Sequence, residues 1–557
     1  RRAGRFDAAR DRYRKAQALA PLDLAAITGQ AELEMQEGKL EPAAELVERA
    51  LKISATDVDA NLAALELELR TSKLAEAETR IGELRGRVPP LSQPQQKARL
   101  AFLRGRWLEA QAGREEEAIA AYADAHPAGS FDLPAGLAAA TLLGKMADKA
   151  TPADAAALRE LADEVLAPAA EQARKDAGLA LTLGIGYLRA GNPPRAEEWL
   201  RDALAARPAD VEAHFQLGQA LLGQQRMTEG LASLARAFEL DATRIDIGLE
   251  LARSYEAAGR AADAGAMYDK LLVAPEVSID LRGRAGRFFA RGGQLDKASA
   301  QAEKILEADP QHSAGLYLQG IVLLDQLKKV DEARRSLKAA TTADPDPEYW
   351  VALGRACELL AAQSGDTRFK DEALRAYDDA LAALGPTPAL AAPVAFAAQL
   401  GSGRLQLDAR QYDKAVAALE AADKLRGGDA DALYLLGLAH YELGHARESI
   451  AYLVRAMAAR PRADGYYRLA LMYYAANQAG PAASAYTQAT KLGLADEAAG
   501  AKVPWLTEAL YNLGNLESSR NNDGGACRAW NQYLARNPTN QALINEVKRL
   551  MLGLRGC

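Results

Sequence analysis

The chain has 557 residues, of which 49% are hydrophobic and 6% aromatic, with a net charge of −7 and a pI near 5.6. One compact core does not hold that length, and so much apolar content excludes a disordered chain. An acidic chain also lacks the basic field that non-specific nucleic-acid binding needs.

The first predicted element is a helix over "GRFDAARDRYRKAQALAP" at Gly4–Pro21. It reads Gly4, Ala9, Tyr13, Ala16, Pro21, and the same pattern returns down the chain. Gly4, Gly38 and Ser72 are 34 residues apart, as are Gly191, Gln225, Gly259 and Gly293, and later Arg410 and Gly444. After each anchor come a small residue, a large one, an Ala or other apolar residue and often a Pro. Examples are Gly191, Ala196, Leu200, Ala203, Pro208, then Gly293, Ala298, Ala302, Ile305, Pro310. Gly444, Ser449, Leu453, Ala456, Pro461 and Asn521, Ala526, Trp530, Tyr533, Pro538 repeat it near the end. The anchor makes a tight turn, the small residue lets two helices approach, and the large residue fills the gap. Pro stops the helix and starts the next.

A second pattern lies upstream of each anchor. It is a Leu-Gly or Leu-Ala pair: Leu183-Gly184, Leu217-Gly218, Leu251-Ala252, Leu353-Gly354, Leu436-Gly437, Leu469-Ala470 and Leu513-Gly514. An aromatic residue often follows, as in Tyr187, Tyr255 and Tyr473. This is the first helix of a helical hairpin, with its own close-approach residue. Residues 126–170 keep helical periodicity but lose the signature, and read as one degenerate pair. Val88–Gln96, Gly385–Pro393 and Lys491–Pro504 read as loops between repeats. At the end, Leu543, Ile544, Val547, Leu550, Met551 and Leu554 share one helix face, which is expected to cap the stack over residues 540–557.

Two helices that agree at fixed offsets, with "YNLGN" at Tyr511–Asn515 and the opening segment close to consensus, resemble the tetratricopeptide repeat, a 34-residue helix-turn-helix. The resemblance implies an all-α solenoid, a right-handed superhelix whose first helices line a concave groove. About fourteen and a half repeats are expected over 1–557 as a single solenoid. Gly4–Pro21 is only a second helix, so its partner is expected upstream.

No chemistry competes with this reading. His126, His214, His312, His440 and His445 form no H-E-x-x-H, and His440 falls on a packing stripe with Leu433, Leu436 and Gly437. Gly184-Ile185-Gly186 follows no strand. Cys357, Cys527 and Cys557 are odd in number and far apart, so neither a disulfide nor a zinc site is expected, which favours a reducing compartment. No enzyme activity, cofactor or metal is expected. No apolar run approaches about 18 residues, so no direct membrane insertion is expected.

The expected site lies on first helices. Tyr434, Leu438 and Tyr441 are spaced i, i+4, i+7, and the next repeat copies them as Tyr467, Leu471 and Tyr474. The last repeat has Tyr511 and Asn515 there, and the middle repeats have Arg253, Arg287 and Arg355. The tyrosines are either family consensus or an aromatic patch for a partner's apolar helix or peptide. The arginines either pair with neighbouring carboxylates or suit an acidic partner segment. The functional expectation is a cytoplasmic interaction scaffold that binds a small GTPase or a motility, polarity or pilus partner. The alternatives are a periplasmic scaffold of a polysaccharide or protein export machine, and the non-catalytic region of a larger enzyme.

Overall fold

The computed structural model describes residues 2–87, 91, 93–126, 132–174, 178–384, 392–554 and 557. Among them lie thirty helices and no strand, so the chain is an all-α solenoid of helical hairpins. It divides into two compact units, Arg1–Val273 and Ala274–Cys557.

The first unit opens on the single helix α1 (Arg2–Leu19). Hairpins follow: α2/α3 (Leu24–Gln36, Leu40–Ile53), α4/α5 (Val58–Arg70, Leu74–Arg85), α6/α7 (Pro94–Glu109, Glu115–Ala123) and α8/α9 (Leu133–Ala147, Pro152–Ala173). Then come α10/α11 (Ala180–Arg189, Pro193–Ala206), α12/α13 (Val211–Gly223, Met227–Leu240) and α14/α15 (Ile245–Ala257, Ala261–Leu271). The second unit holds α16/α17 (Ile279–Arg291, Leu295–Ala308), α18/α19 (Ser313–Asp325, Val330–Ala343), α20/α21 (Pro347–Ser364, Thr367–Leu384) and α22/α23 (Ala392–Asp408, Tyr412–Leu425). It ends with α24/α25 (Ala430–Glu442, Ala446–Ala459), α26/α27 (Ala463–Ala475, Ala479–Ala498), α28/α29 (Leu506–Ser519, Asp523–Ala535) and the lone α30 (Gln541–Leu552).

The turn inside each hairpin is built one way. The anchor residue takes a left-handed backbone: φ is 78° at Gly38, 71° at Gly191 and 76° at Gly444, and Ser72, Gln225, Arg410 and Asn521 adopt it too, at 59–62°. The next amide then reaches back five residues, as Lys39 N to Glu34 O at 2.9 Å and His445 N to His440 O at 2.9 Å. This is the Schellman closure of a helix end. Gly4 is the exception, because it lies within α1. Between hairpins, Pro21, Pro208, Pro310, Pro461 and Pro538 follow a helix end but do not start the next helix. Polar caps do that: the carboxylates of Asp23, Asp57, Asp210 and Asp429 accept amides of the first turn.

The close approach is equally local. A Cβ on Gly437 would sit 2.6 Å from Leu453, on Gly184 2.7 Å from Leu200, on Gly354 2.6 Å from Tyr377 and on Gly514 2.3 Å from Trp530. In α16/α17 the facing position holds the small Ala302, and Leu318 of the next hairpin fills the space beside Gly286 at 2.4 Å. Consecutive first helices also touch, as α2 with α4 and α20 with α22, whereas among the described residues consecutive second helices stand further apart. First helices therefore form the tighter row of each unit.

Two expectations need correction. Lys491–Pro504 is not all loop: Lys491–Ala498 continues α27, so this second helix runs 20 residues. Cys527 of α29 and Cys557 at the end of the chain are joined in a disulfide. Cys357 alone is free and fully buried, and burial pushes its thiol up to about 12. The segments 88–90, 127–131 and 385–391, parts of the expected loops and of the degenerate pair, lie outside the described residues.

Candidate functional site

The two tyrosine stripes sit on α24 and α26, but their members differ in exposure. Tyr434 is 6% exposed and packs in the core with Leu433, Leu453 and Met457. Its hydroxyl donates to Asp464, and the Arg462 guanidinium lies 4.2 Å above its ring. Tyr434 therefore joins two hairpins and is not a groove residue. The reason is Gly465, which lets α26 come so close that a Cβ there would meet Tyr434 at 3.4 Å. Burial raises the Asp464 carboxyl, but hydrogen bonds from Tyr434 and Arg462 outweigh it and hold the pKa below the ordinary value.

The copy one repeat on is more open. Tyr467 is half-buried and stacks on Trp505 with ring centroids 4.7 Å apart and planes 13° from parallel. Tyr486 of α27 lies 6.3 Å away on its other flank. Burial pushes the Tyr467 phenol well up, and the Glu508 carboxylate, which its hydroxyl reaches, pushes it further. Leu438 and Leu471 are half-buried against the same core, and Tyr474 stands 62% exposed. Tyr441 is half-buried with the Arg468 guanidinium 5.3 Å over its ring. Tyr441, Leu471, Tyr467, Tyr474 and Trp505 thus belong to an apolar strip with hydroxyls at its edges. Such rings bury large area while losing few rotamers, the chemistry of a binding hot spot. The repeat pattern does not point to Trp505, because it follows Lys491–Pro504, which reads as a loop; its one signal is a lone tryptophan after Pro504.

The remaining expected residues lie elsewhere. Tyr511 belongs to the C-terminal cap: its ring is 5.6 Å from Tyr533 and its hydroxyl donates to Glu546 of α30 at 3.3 Å. Asn515 is half-buried on α28, with its Oδ1 out of reach of any donor. Arg287 lies 5.7 Å from the Tyr317 ring and 4.9 Å from the Tyr349 ring, which stack on each other at 4.6 Å, and bonds Asp346 at 2.9 Å. Its charge is used within the fold. Arg355 pairs with Asp325 at 2.6 Å, and Arg253 lies 3.8 Å from Glu250. The Arg355 pair bridges two first helices, and the Arg253 contact lies within α14. Glu256 and Glu358 instead accept the buried hydroxyls of Tyr268 and Tyr377.

Beside the strip, His440 is 7% exposed and stacks on Tyr452 at 5.5 Å. Its Nδ1 is 3.3 Å from His445 Nδ1, and its Nε2 has no partner. Burial pushes its pKa below 6.5, His445 adds to this, and Glu448 and Glu420 oppose. The unfolded chain then binds the proton more readily than the fold, so stability falls as pH drops from about 7 toward the folded pKa and is flat above it. Urea midpoints at pH 8 and pH 6 should differ less in His440→Gln than in the parent chain; equal differences would remove His440 as the cause.

Models described as tetratricopeptide repeat match residues 1–58, 181–244, 284–346, 317–362 and 430–462. Among curated proteins, the DnaJ homolog subfamily C member 3 of Homo sapiens is 24% identical over 243 residues, 44% of this chain and 42% of that protein. The Gallus gallus protein of the same name is 22% identical over 245 residues, 44% of this chain and 41% of that one. The chain thus spans about two-fifths of the length of the curated relatives it matches. Similar solved structures include the APC/C hetero-tetramer Cut9-Hcn1, at TM-score 0.43 and 15% identity over 99% of this chain and 94% of that one. Yeast Tom70 is similar at TM-score 0.35 and 15% identity over 80% and 94%. With matched segments in both units, and the same turn and glycine contact recurring between them, the chain belongs to the tetratricopeptide-repeat family.

Proposed function

We propose that this protein-interaction scaffold docks its partner on the strip formed by Tyr441, Tyr467, Leu471, Tyr474 and Trp505. The observation that carries the reading is the half-buried Tyr467–Trp505 stack leading to Tyr474, which stands 62% exposed. The occupant is a short amphipathic segment of a partner protein presenting aliphatic side chains. Charges beside the strip are already engaged, Arg468 with Tyr441 and Glu442, and Arg462 with Tyr434 and Asp464. The contact is therefore apolar and weakly dependent on salt. The chain performs no chemistry of its own in this reading.

The test is affinity capture followed by titration of the captured partner. Tyr467→Ala with Tyr474→Ala should weaken binding by roughly 2 kcal/mol, about thirtyfold. Full affinity in that variant would leave the tyrosines as family consensus.

The Cys527–Cys557 disulfide favours the export scaffold of an oxidising compartment such as the periplasm over a cytosolic adaptor for a small GTPase or motility partner. Thiol titration of the denatured, unreduced protein from its native source should find Cys357 alone reactive. Three reactive thiols would restore the cytosolic reading.

A further inference from the structure

The second helices α3 and α5 leave a groove of about 390 Å³ between them, floored by α4. Its apolar surface comes from Ala44, Val47 and Leu51 of α3 and from Ala64 and Leu67 of α4. At the position of Ala44, six residues after the turn, three other hairpins carry a long side chain that closes the gap. Leu231 of α13 is 3% exposed there. Glu197 of α11 bonds Arg226 of the next hairpin at 2.7 Å. Arg334 of α19 bonds Glu372 of the next hairpin at 3.0 Å. Ala44 is exposed and too short to cover its neighbours, so Leu40, Leu51 and Leu67 stay half-buried along the groove, above the buried Val47 and Ala64.

The rim is acidic. Glu41, Glu48, Glu68 and Glu76 line it against Lys73 and Arg80. Arg80 is neutralised by a double contact with Glu68 at 2.7 and 2.9 Å and also bonds Asn61. Glu48 is exposed beside Lys52, while Glu41 and Glu76 are exposed with no pairing cation among the described residues. Carboxylates in a first turn favour their own helices, which accounts for Glu41 and Glu76 singly. It does not account for their standing together over an apolar floor. From Leu40 to Leu51 the groove follows α3 for three turns, roughly 16 Å, with apolar residues at the spacing that accepts a helix carrying i, i+4, i+7 anchors.

We propose that this groove is a second docking surface, independent of the aromatic strip, and that it takes a basic amphipathic helix of a partner protein. The partner's aliphatic stripe lies on Leu40, Leu51 and Leu67, and its flanking lysines or arginines meet Glu41, Glu48 and Glu76. The opposite charges speed encounter and orient the helix, and the apolar stripe holds it.

A fluorescein-labelled 18-residue Leu/Lys peptide with an i, i+4, i+7 leucine stripe, titrated with the full chain, tests this by anisotropy. It should bind in the micromolar range, and a Leu/Glu peptide should not. A peptide of the same composition with the stripe broken should bind at least tenfold more weakly. Ala44→Arg, and separately Glu41→Lys with Glu76→Lys, should each weaken the Leu/Lys peptide at least tenfold. All three positions are exposed, so circular dichroism should be unchanged. Tyr467→Ala with Tyr474→Ala should leave this binding intact. Equal affinity for the broken-stripe peptide, or undiminished binding in both groove variants, overturns the proposal. So does sedimentation that finds the chain self-associated through this face and separated by Ala44→Arg, which would make a second copy the occupant.

Discussion

Ala298→Arg is expected to destabilise the second unit by on the order of 3 kcal/mol, with the loss confined to two or three repeats around α17. Ala298 is 0% exposed and occupies the small-residue position of its hairpin. A longer side chain there overpacks a contact between two helices, and its guanidinium has no carboxylate waiting in the interior, so the buried charge adds its own penalty. Repeats touch only their neighbours, so distant hairpins should keep their amide protection while α16 to α18 lose theirs. Hydrogen exchange read by peptide, together with thermal unfolding, measures both parts. Unchanged melting and protection would mean that the residue does not lie at that contact.

Trp530→Ala is expected to remove about 3–5 kcal/mol from the C-terminal repeats. Trp530 is fully buried, fills the space that Gly514 leaves, and shares a core with Tyr533 and Val547 of the cap. Truncation leaves a cavity that α28 does not close, because Gly514 has no side chain to move into it. Trp530→Phe should cost much less. It loses some volume but also removes an indole N–H that has no acceptor, and an unmade hydrogen bond in the interior is itself unfavourable. Calorimetry of the two variants decides: equal losses would show that the ring volume Phe retains does not set the stability here. Loosening of α30 in Trp530→Ala should also speed reduction of the Cys527–Cys557 bond.

The contrast between Tyr434 and Tyr467 marks the limit of reading a repeat by position. The two are copies by spacing, yet one joins hairpins and the other lines a surface. The difference lies in their neighbours: Gly465 and Asp464 of the following hairpin cover Tyr434, whereas Trp505 meets Tyr467 only on one face. Arg253, Arg287 and Arg355 diverge in the same way. Arg287 and Arg355 find partners beyond their own helices, up to 62 positions away for Arg287 and Tyr349, whereas Arg253 meets Glu250 of its own helix.

What the sequence by itself determined was everything set by short offsets along the chain. The left-handed turn at Gly38, Gly191 and Gly444, the Leu-Gly approach met by Leu200 or Leu453, and the apolar stripe of the last helix depend on residues within one hairpin, so helical geometry alone relates them. Burial of Tyr434, capture of Arg287, the openness left by Ala44 and the pairing of Cys527 with Cys557 were decided by tertiary structure. Each depends on what the neighbouring hairpin or chain end brings into contact, and periodicity specifies where a side chain points but not what it meets there.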